Sequence, residues 1–373
     1  MNARIPAAPT TAQSIWLVAE REIGSRLRSK AFVISTAILF VAALAAVVWG
    51  GFAAGSSQGI TVAVTSETAS VVRDVDGLEV TDADSAASAL ALVEDGTVSA
   101  ALVPTDAVPD AEASASFDYA VVANDDVPTG LVQLLSQSPP VHLLDPSSTD
   151  VLLRYFVALG FGIVFLLAAS TFGGTIAQSV VEEKQTRVVE LLISAIPVRA
   201  LLAGKVIGNT LLAMAQIVVL AAIAVVGLTV TGQDLVLTGL GGPLVWFAVF
   251  FFFGFVLLAS LFAAAGAMVS RQEDIGSTTA PLTMLVMLPY FLVIFFNDNP
   301  VVITVMSYVP FSAPVAMPLR LYLGEALWWE PLAALAVLIA TCIAAILVGA
   351  RIYSGSLLRM GARVKLTEAL SRP

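Results

Sequence analysis

AFVISTAILFVAALAAVVWGGF, Ala31 to Phe52, carries no charged side chain from end to end. About 20 apolar residues in a helix rising 1.5 Å each cross the hydrocarbon core of a bilayer, so this stretch predicts a transmembrane helix over residues 31–53. Arg26 to Lys30 stand just before it and could serve as the basic region of a cleavable signal peptide. The apolar run is longer than the 7–15 residues of a signal sequence, however. The stretch therefore reads as a retained anchor.

Upstream, residues 1–30 form a cytoplasmic amphipathic lead. Ile15, Ala19, Ile23 and Leu27 recur every four residues, with Trp16 beside them, while Glu20, Arg21, Arg26 and Arg28 fall on other faces. That pattern suits a helix lying along the membrane surface. An ordinary charged flank before a span is the alternative.

Downstream the character changes. Residues 54–150 hold most of the acids, between Glu67 and Asp150. Ile60 to Val64 alternates like a strand, Ser85 to Val93 has helical spacing, and Val98 to Val103 reads as a second strand. Pro104, Pro109, Pro128 and the Pro139–Pro140 pair punctuate the rest. A compact α/β domain of about 95 residues, large enough to fold alone, fits this stretch.

The chain then returns to the membrane, with further spans expected at 151–178, 206–230, 244–269, 277–296 and 331–350. Pro281 and Pro289 fall inside the fifth, which is expected to be kinked or broken. Between the fifth and sixth, residues 297–330 contain Pro310, Pro314 and Pro318 and are too interrupted for a plain span. They read as a re-entrant or interfacial pair of short helices, with Trp328 and Trp329 marking the interface. The fold class is thus an α-helical polytopic membrane protein with about six transmembrane helices and an extracytoplasmic α/β domain inserted after the first.

Composition agrees. The 373 residues are 58% hydrophobic and 12% charged, with mean hydropathy +0.91, against about 25% charged in a soluble domain. The formal net charge of −10 comes from the acidic stretch, and no basic face exists for nucleic acid. The single cysteine, Cys342, permits no internal disulfide. With the N-terminus inside, all but three of the 18 basic residues fall on the cytoplasmic side, the exceptions being Arg73, Arg154 and Arg320. The positive-inside rule then puts the N-terminus and the 351–373 tail in the cytoplasm and the acidic domain outside.

The most informative polar segment is cytoplasmic, residues 179–205, containing VVEEKQTRVVELLISAIPVRALLAGK from Val180 to Lys205. Val181, Val188, Leu191 and Leu192 form an apolar stripe among Glu182, Glu183, Lys184, Arg187 and Glu190. Glu183 and Arg187 stand at i,i+4 in the favourable order, and Pro197 biases the preceding residue away from helix, ending it near Ser194. Spacing alone leaves two readings open, a rigid docking element on the inner membrane face or a solvated loop.

The run Glu182-Glu183-Lys184-x-x-Arg187-x-x-Glu190-Leu191-Leu192-x-Ser194, followed by Pro197 and Gly204-Lys205, resembles the signature of ABC-2 type transporter permeases, closest to the sodium-efflux (NatB-like) branch. Ala86 to Pro104, with its acidic-glycine turn, and Tyr308 to Pro314 with Met317-Pro318-Leu319-Arg320 are similar to that branch too. The likeness is weakest over the first 30 residues and from Asp110 to Ser148.

The resemblance implies a permease subunit that exports a substrate, sodium in that branch, using a separate ABC ATP-binding subunit. It implies a second permease copy or paralogue, a bacterial plasma membrane, and ATP and magnesium on the partner chain, with no cofactor in this one. It also implies that Glu182, Glu183, Lys184, Arg187, Glu190 and Ser194 couple to the ATPase. The chain has no G-x-x-x-x-G-K-[ST] phosphate loop, since Val206 follows Gly204-Lys205.

Other readings stand beside it. A drug, peptide or lipid cargo suits the apolar helices. A secondary transporter would keep ionisable groups at membrane depth, where only Asn209 and Gln216 are notably polar. An enzyme or zinc site would have to be built from one histidine, His142 near Asp145, and one cysteine. A receptor could bind a ligand outside, with Asp125 and Asp126 as candidate oxygens.

Overall fold

A computed structural model describes residues 10–55, 60–72, 78–108, 118–124, 131, 135, 151–186, 188–232 and 234–356. The chain divides into two compact units, one of Met1–Val48 with Ser147–Pro373 and one of Trp49–Pro146.

The first unit is helical. It contains α1 (Thr11–Arg28), most of α2 (Lys30–Gly55), α5 (Val151–Gln185), α6 (Val188–Ala195), α7 (Val198–Val230), α8 (Asp234–Met268), α9 (Ile275–Phe295), α10 (Pro300–Tyr308), α11 (Ala313–Tyr322) and α12 (Glu330–Ser356). Six helical stretches are long and apolar enough to cross a membrane: Lys30–Gly50, Arg154–Gln185, Val198–Val230, Gly239–Met268, Gln272–Phe295 and Glu330–Ser356. Several reach further than the apolar runs alone require. α5 continues through Glu182, Glu183 and Lys184 because nothing breaks it before Thr186, whose hydroxyl bonds back to the Glu182 carbonyl at 2.8 Å. α7 starts at Val198, directly after Pro197, whose carbonyl accepts from the Ala200 and Leu201 amides.

α8 is the centre of the packing. Phe247, Phe251 and Phe255 on α8 meet Phe161, Phe165 and Phe172 on α5, with ring centroids 4.9 to 5.7 Å apart. Backbones also approach closely: a Cβ on Gly266 would lie 2.7 Å from the Ala177 carbonyl oxygen, and one on Gly349 of α12 3.1 Å from that of Ser260. Such small-residue contacts let helices pack in a medium where the hydrophobic effect does not drive association. α9 runs unbroken through Pro281 and Pro289.

α10 and α11, at about 15 Å each from the helical rise, are too short to span. Asn299 caps α10 by accepting from the Val301 and Val302 amides, and every residue from Ala313 to Arg320 of α11 is buried. Trp328 is 83% exposed.

The second unit carries a small four-stranded sheet, β1 (Ile60–Val64), β2 (Leu78–Asp82), β3 (Ala100–Pro104) and β4 (Tyr119–Val122), in the order β2-β1-β3-β4. β1 runs parallel to β2 and β3, and β4 antiparallel to β3. Helices α3 (Ala69–Val72) and α4 (Ala86–Glu94) connect the parallel strands. Val62, Val64 and Leu102 face one core, and Ala63, Ala101 and Val103 face another that includes Ala89 and Val93 of α4. This is the period-two alternation of strands buried on both faces. Gly96, at φ 71°, closes α4 with its amide on the Val93 carbonyl, a left-handed cap that glycine adopts at no steric cost.

Candidate functional site

The segment joining α5 to α7 begins on the last turn of α5, where consecutive residues point to different neighbours. Glu182 is exposed. Glu183 turns inward and pairs with Arg21 of α1 and with Lys205 of α7, its Oε2 3.0 Å from the Lys205 ammonium. Lys205 is fully buried and also donates to Glu22 Oε1 and Ser179 Oγ, both at 2.7 Å. Arg21 closes the ring with a bond to Glu22 Oε1 at 3.3 Å. Two carboxylates, one ammonium and one guanidinium thus join α1, α5 and α7. Burying one of these charges unpaired would cost several kcal/mol.

The charge balance shows at Glu22. Burial opposes its ionised form, yet Lys205 and then Arg21 outweigh burial and hold the carboxyl below its ordinary range. For Arg21 burial also opposes the charge, and Glu183 and Glu22 outweigh it. Next to the ring, Arg26 donates to the Thr175 carbonyl at 2.9 Å and Asn209 Nδ2 to the Lys205 carbonyl at 2.9 Å. Tyr353 of α12 lies within electrostatic reach, its hydroxyl buried with no hydrogen-bond partner among the described residues.

Lys184 leaves the helix on another side. It too is fully buried, and its ammonium donates to the carbonyls of Ala267 at 2.8 Å and Ser356 at 3.0 Å. Ala267 lies in the last turn of α8, whose carbonyls have no partner within the helix, so the cation sits at the negative end of that helix's dipole. The neighbouring Gln185 amide reaches the Ser270 carbonyl at 3.2 Å.

α6 presents the outward surface. Val189 is buried beneath it, while Glu190 and Ser194 are exposed and Leu191 is 73% exposed. The residues expected to act together therefore part company: Glu182, Glu190 and Ser194 face outward, Glu183 and Lys184 face into the bundle, and Arg187 lies outside the described residues. So do Asp125, Asp126, His142 and Asp145.

α1 meets this site through a close approach. A Cβ on Gly204 would lie 2.7 Å from the Ile15 carbonyl oxygen, and one on Gly208 2.8 Å from that of Ala19. The face of α1 that is buried carries Ser14, Val18, Ala19 and Glu22, whereas Trp16 and Leu27 of the expected apolar stripe are 57% and 55% exposed. The groove at Gly204 and Gly208, with Lys205 between, selects the face bearing a carboxylate.

Local spacing of the apolar residues does not single out Glu22, and Lys205 stands out in the sequence only as the last residue of the family-like run. Glu22 follows Ser14, Val18 and Ala19 at helical spacing on one face, where a lone acid signals a buried partner. A second buried cluster was also missed. Arg320 of α11 pairs with Glu330 at 2.9 Å and donates to Ser307 Oγ, while Tyr308 and the Leu327 amide donate to Glu330.

Among the described residues no group of three or more His, Cys, Asp and Glu could hold a metal ion. The profile of the family described as ABC-2 family transporter protein matches residues 30–351. The chain is 29% identical over 219 residues to the uncharacterised protein YhaP of Bacillus subtilis (strain 168), covering 55% of this chain and 52% of that one. It is 27% identical over 175 residues to the uncharacterised protein MJ1024 of Methanocaldococcus jannaschii, covering 46% and 42%. The chain spans about half the length of the curated relatives it matches. No solved structure matches.

Proposed function

The chain belongs to the ABC-2 family of transporter proteins, and from that premise we propose how its parts divide the work of export. It is a membrane-spanning permease and not itself an enzyme, ATP hydrolysis being the task of a separate ATPase. In our reading α6, with Glu182 just before it, is the surface on which that ATPase docks, through Glu182, Glu190, Leu191 and Ser194. Arg187 lies in the same segment and is assigned with them on sequence alone. Glu183 and Lys184 serve the same coupling from inside the bundle.

The observation that carries this reading is the exposure of Leu191, at 73%, on the short helix that joins the two helices bearing Glu183 and Lys205. Leu191 and Val188, 38% exposed one turn before it, make a small apolar patch beside Glu190, which suits a partner at this face. ATP and its magnesium belong to the partner. The distribution of basic residues supports this face as cytoplasmic and the sheet-bearing unit as external, and the proposed setting is the plasma membrane of a bacterium. Two permease chains with two ATPases is the stoichiometry the resemblance implies.

Sodium is the first cargo to test, on the resemblance to the sodium-efflux branch. A drug, peptide or lipid is the second, on the apolar walls of the spans. A strain lacking the gene, challenged with sodium and with a panel of toxic compounds, separates these by which sensitivity appears.

The docking surface is tested by purifying the tagged chain from native membranes in mild detergent. An ABC ATPase subunit is expected to accompany it, and the Leu191→Asp, Glu190→Lys double variant to lose at least tenfold of that subunit while inserting normally. Undiminished ATPase in the variant would remove the site from α6. Its absence from the wild-type complex would favour a receptor.

A further inference from the structure

We infer that Glu183 and Lys184 are positioning residues that divide the helices between them, Glu183 holding α1 and α7 and Lys184 holding α8 and α12. This rests on the docking reading only for the origin of the motion; the linkage itself stands on the bonds. Adjacent residues on a helix point about 100° apart and cannot share a neighbour on one face. Here the two directions meet different sets of elements: Arg21 and Lys205 on one side, the Ala267 and Ser356 carbonyls on the other.

Both links are stiff for the same reason. The Lys205 ammonium is fully buried and its charge is met by Glu22 and Glu183. Pulling α5 away from α7 would strand buried charge, a cost far above that of breaking a solvated pair. Lys184 has no carboxylate partner among the described residues and relies on two backbone carbonyls. If α8 or α12 moved without α5, the ammonium would lose a bond it cannot replace from water. A displacement of α5's last turn therefore reaches four helices through two side chains, with no need for the spans to transmit it by packing alone.

Neither group fits a docking role, because Lys184 exposes nothing and the Glu183 side chain is 13% exposed. Caps that merely stabilise the bundle would also be buried. The two cases differ in which helices respond when one link is cut.

Hydrogen exchange on the full chain in phosphatidylcholine–phosphatidylglycerol nanodiscs reads this directly. Lys184→Met is expected to speed exchange about tenfold or more in the turns of α8 and α12 that carry Ala267 and Ser356 and to leave α1 and the first turns of α7 within twofold of wild type. Glu183→Gln is expected to give the converse pattern. Lys184→Gln, which keeps a donor for one carbonyl, reads the same turns if Lys184→Met fails to insert. Loosening of all four helices by either variant, or of none, overturns the division.

With the co-purifying ATPase, both variants are expected to bind it as wild type does. Each is expected to lose the ATP-dependent change in exchange only in its own pair of helices. An unaltered ATP-dependent change in both would overturn transmission through these residues. A wild-type chain that binds no ATPase would instead overturn the docking reading, and the nanodisc pattern would still decide the division.

Discussion

A carboxyl that is buried and still ionised reports how strongly its partners hold it. Glu22 is in that position, with burial pushing its pKa up and Lys205 and Arg21 pulling it down further. The folded value lies below the unfolded one, so Glu22 contributes stability at pH above the ordinary carboxylate range of about 4.3, and that contribution is lost as pH falls through and below it. Thermal midpoints in detergent from pH 7 to pH 3.5 are expected to drop more steeply for the wild type than for Glu22→Gln, which has no such group to protonate. Parallel curves would mean that Glu22 does not carry the acid sensitivity. The residue types of this ring were legible in the sequence, but their partners were not. Glu183 looked like the i,i+4 companion of Arg187, and no local spacing reveals that it sits against Arg21 and Lys205, far apart in the chain.

Between elements, the contact of α1 with α7 depends on two missing side chains. A Cβ on Gly208 would stand 2.8 Å from the Ala19 carbonyl oxygen and 3.1 Å from its Cα, and both are backbone atoms that cannot turn aside. Gly208→Val is expected to push α1 off α7 at a cost of about 1–3 kcal/mol, read as a lowered thermal midpoint and faster protease cleavage within α1. Gly24, on α1, has nothing within 4 Å of a built Cβ. Gly24→Ala is the control, expected to gain up to about 1 kcal/mol from helix propensity. Equal losses in both variants would mean that α1 is held by something other than the close approach.

The signal for this contact was in the sequence, since Gly204 and Gly208 have the small-xxx-small spacing of packed membrane helices. It is masked because Gly204 also stands in the closing Gly204-Lys205 pair of the family-like run. Helix ends were harder to read than spans. A charged residue at the end of an apolar run says where hydrocarbon stops, not where the helix does, and α5 continues through Glu182–Lys184 for that reason.

For the whole molecule, the clearest inherited expectation is sidedness, and it rests on charge rather than on packing. Basic residues near the ends of spans are retained on the cytoplasmic side during insertion, and here only Arg73, Arg154 and Arg320 depart from one side. Of these, Arg154 pairs with Glu325 and Arg320 with the buried Glu330, so two of the three are held by fixed partners in the folded bundle, although the rule itself counts bases and not net charge. The single cysteine makes the test simple. Cys342 is buried, and Cys342→Ala supplies a background for single new thiols at exposed Asp95, in the sheet-bearing unit, and at exposed Ser194, on α6. A membrane-impermeant maleimide applied to intact cells is expected to label Asp95→Cys and to leave Ser194→Cys unlabelled until the membrane is permeabilised. The reverse pattern would put α6 outside, where no ATPase could reach it, and would refute the orientation and the docking surface together. Labelling of both in intact cells would mean that the charge bias does not fix a single topology, and the buried pairs at Arg320 and Lys205 would then have to orient the bundle after insertion.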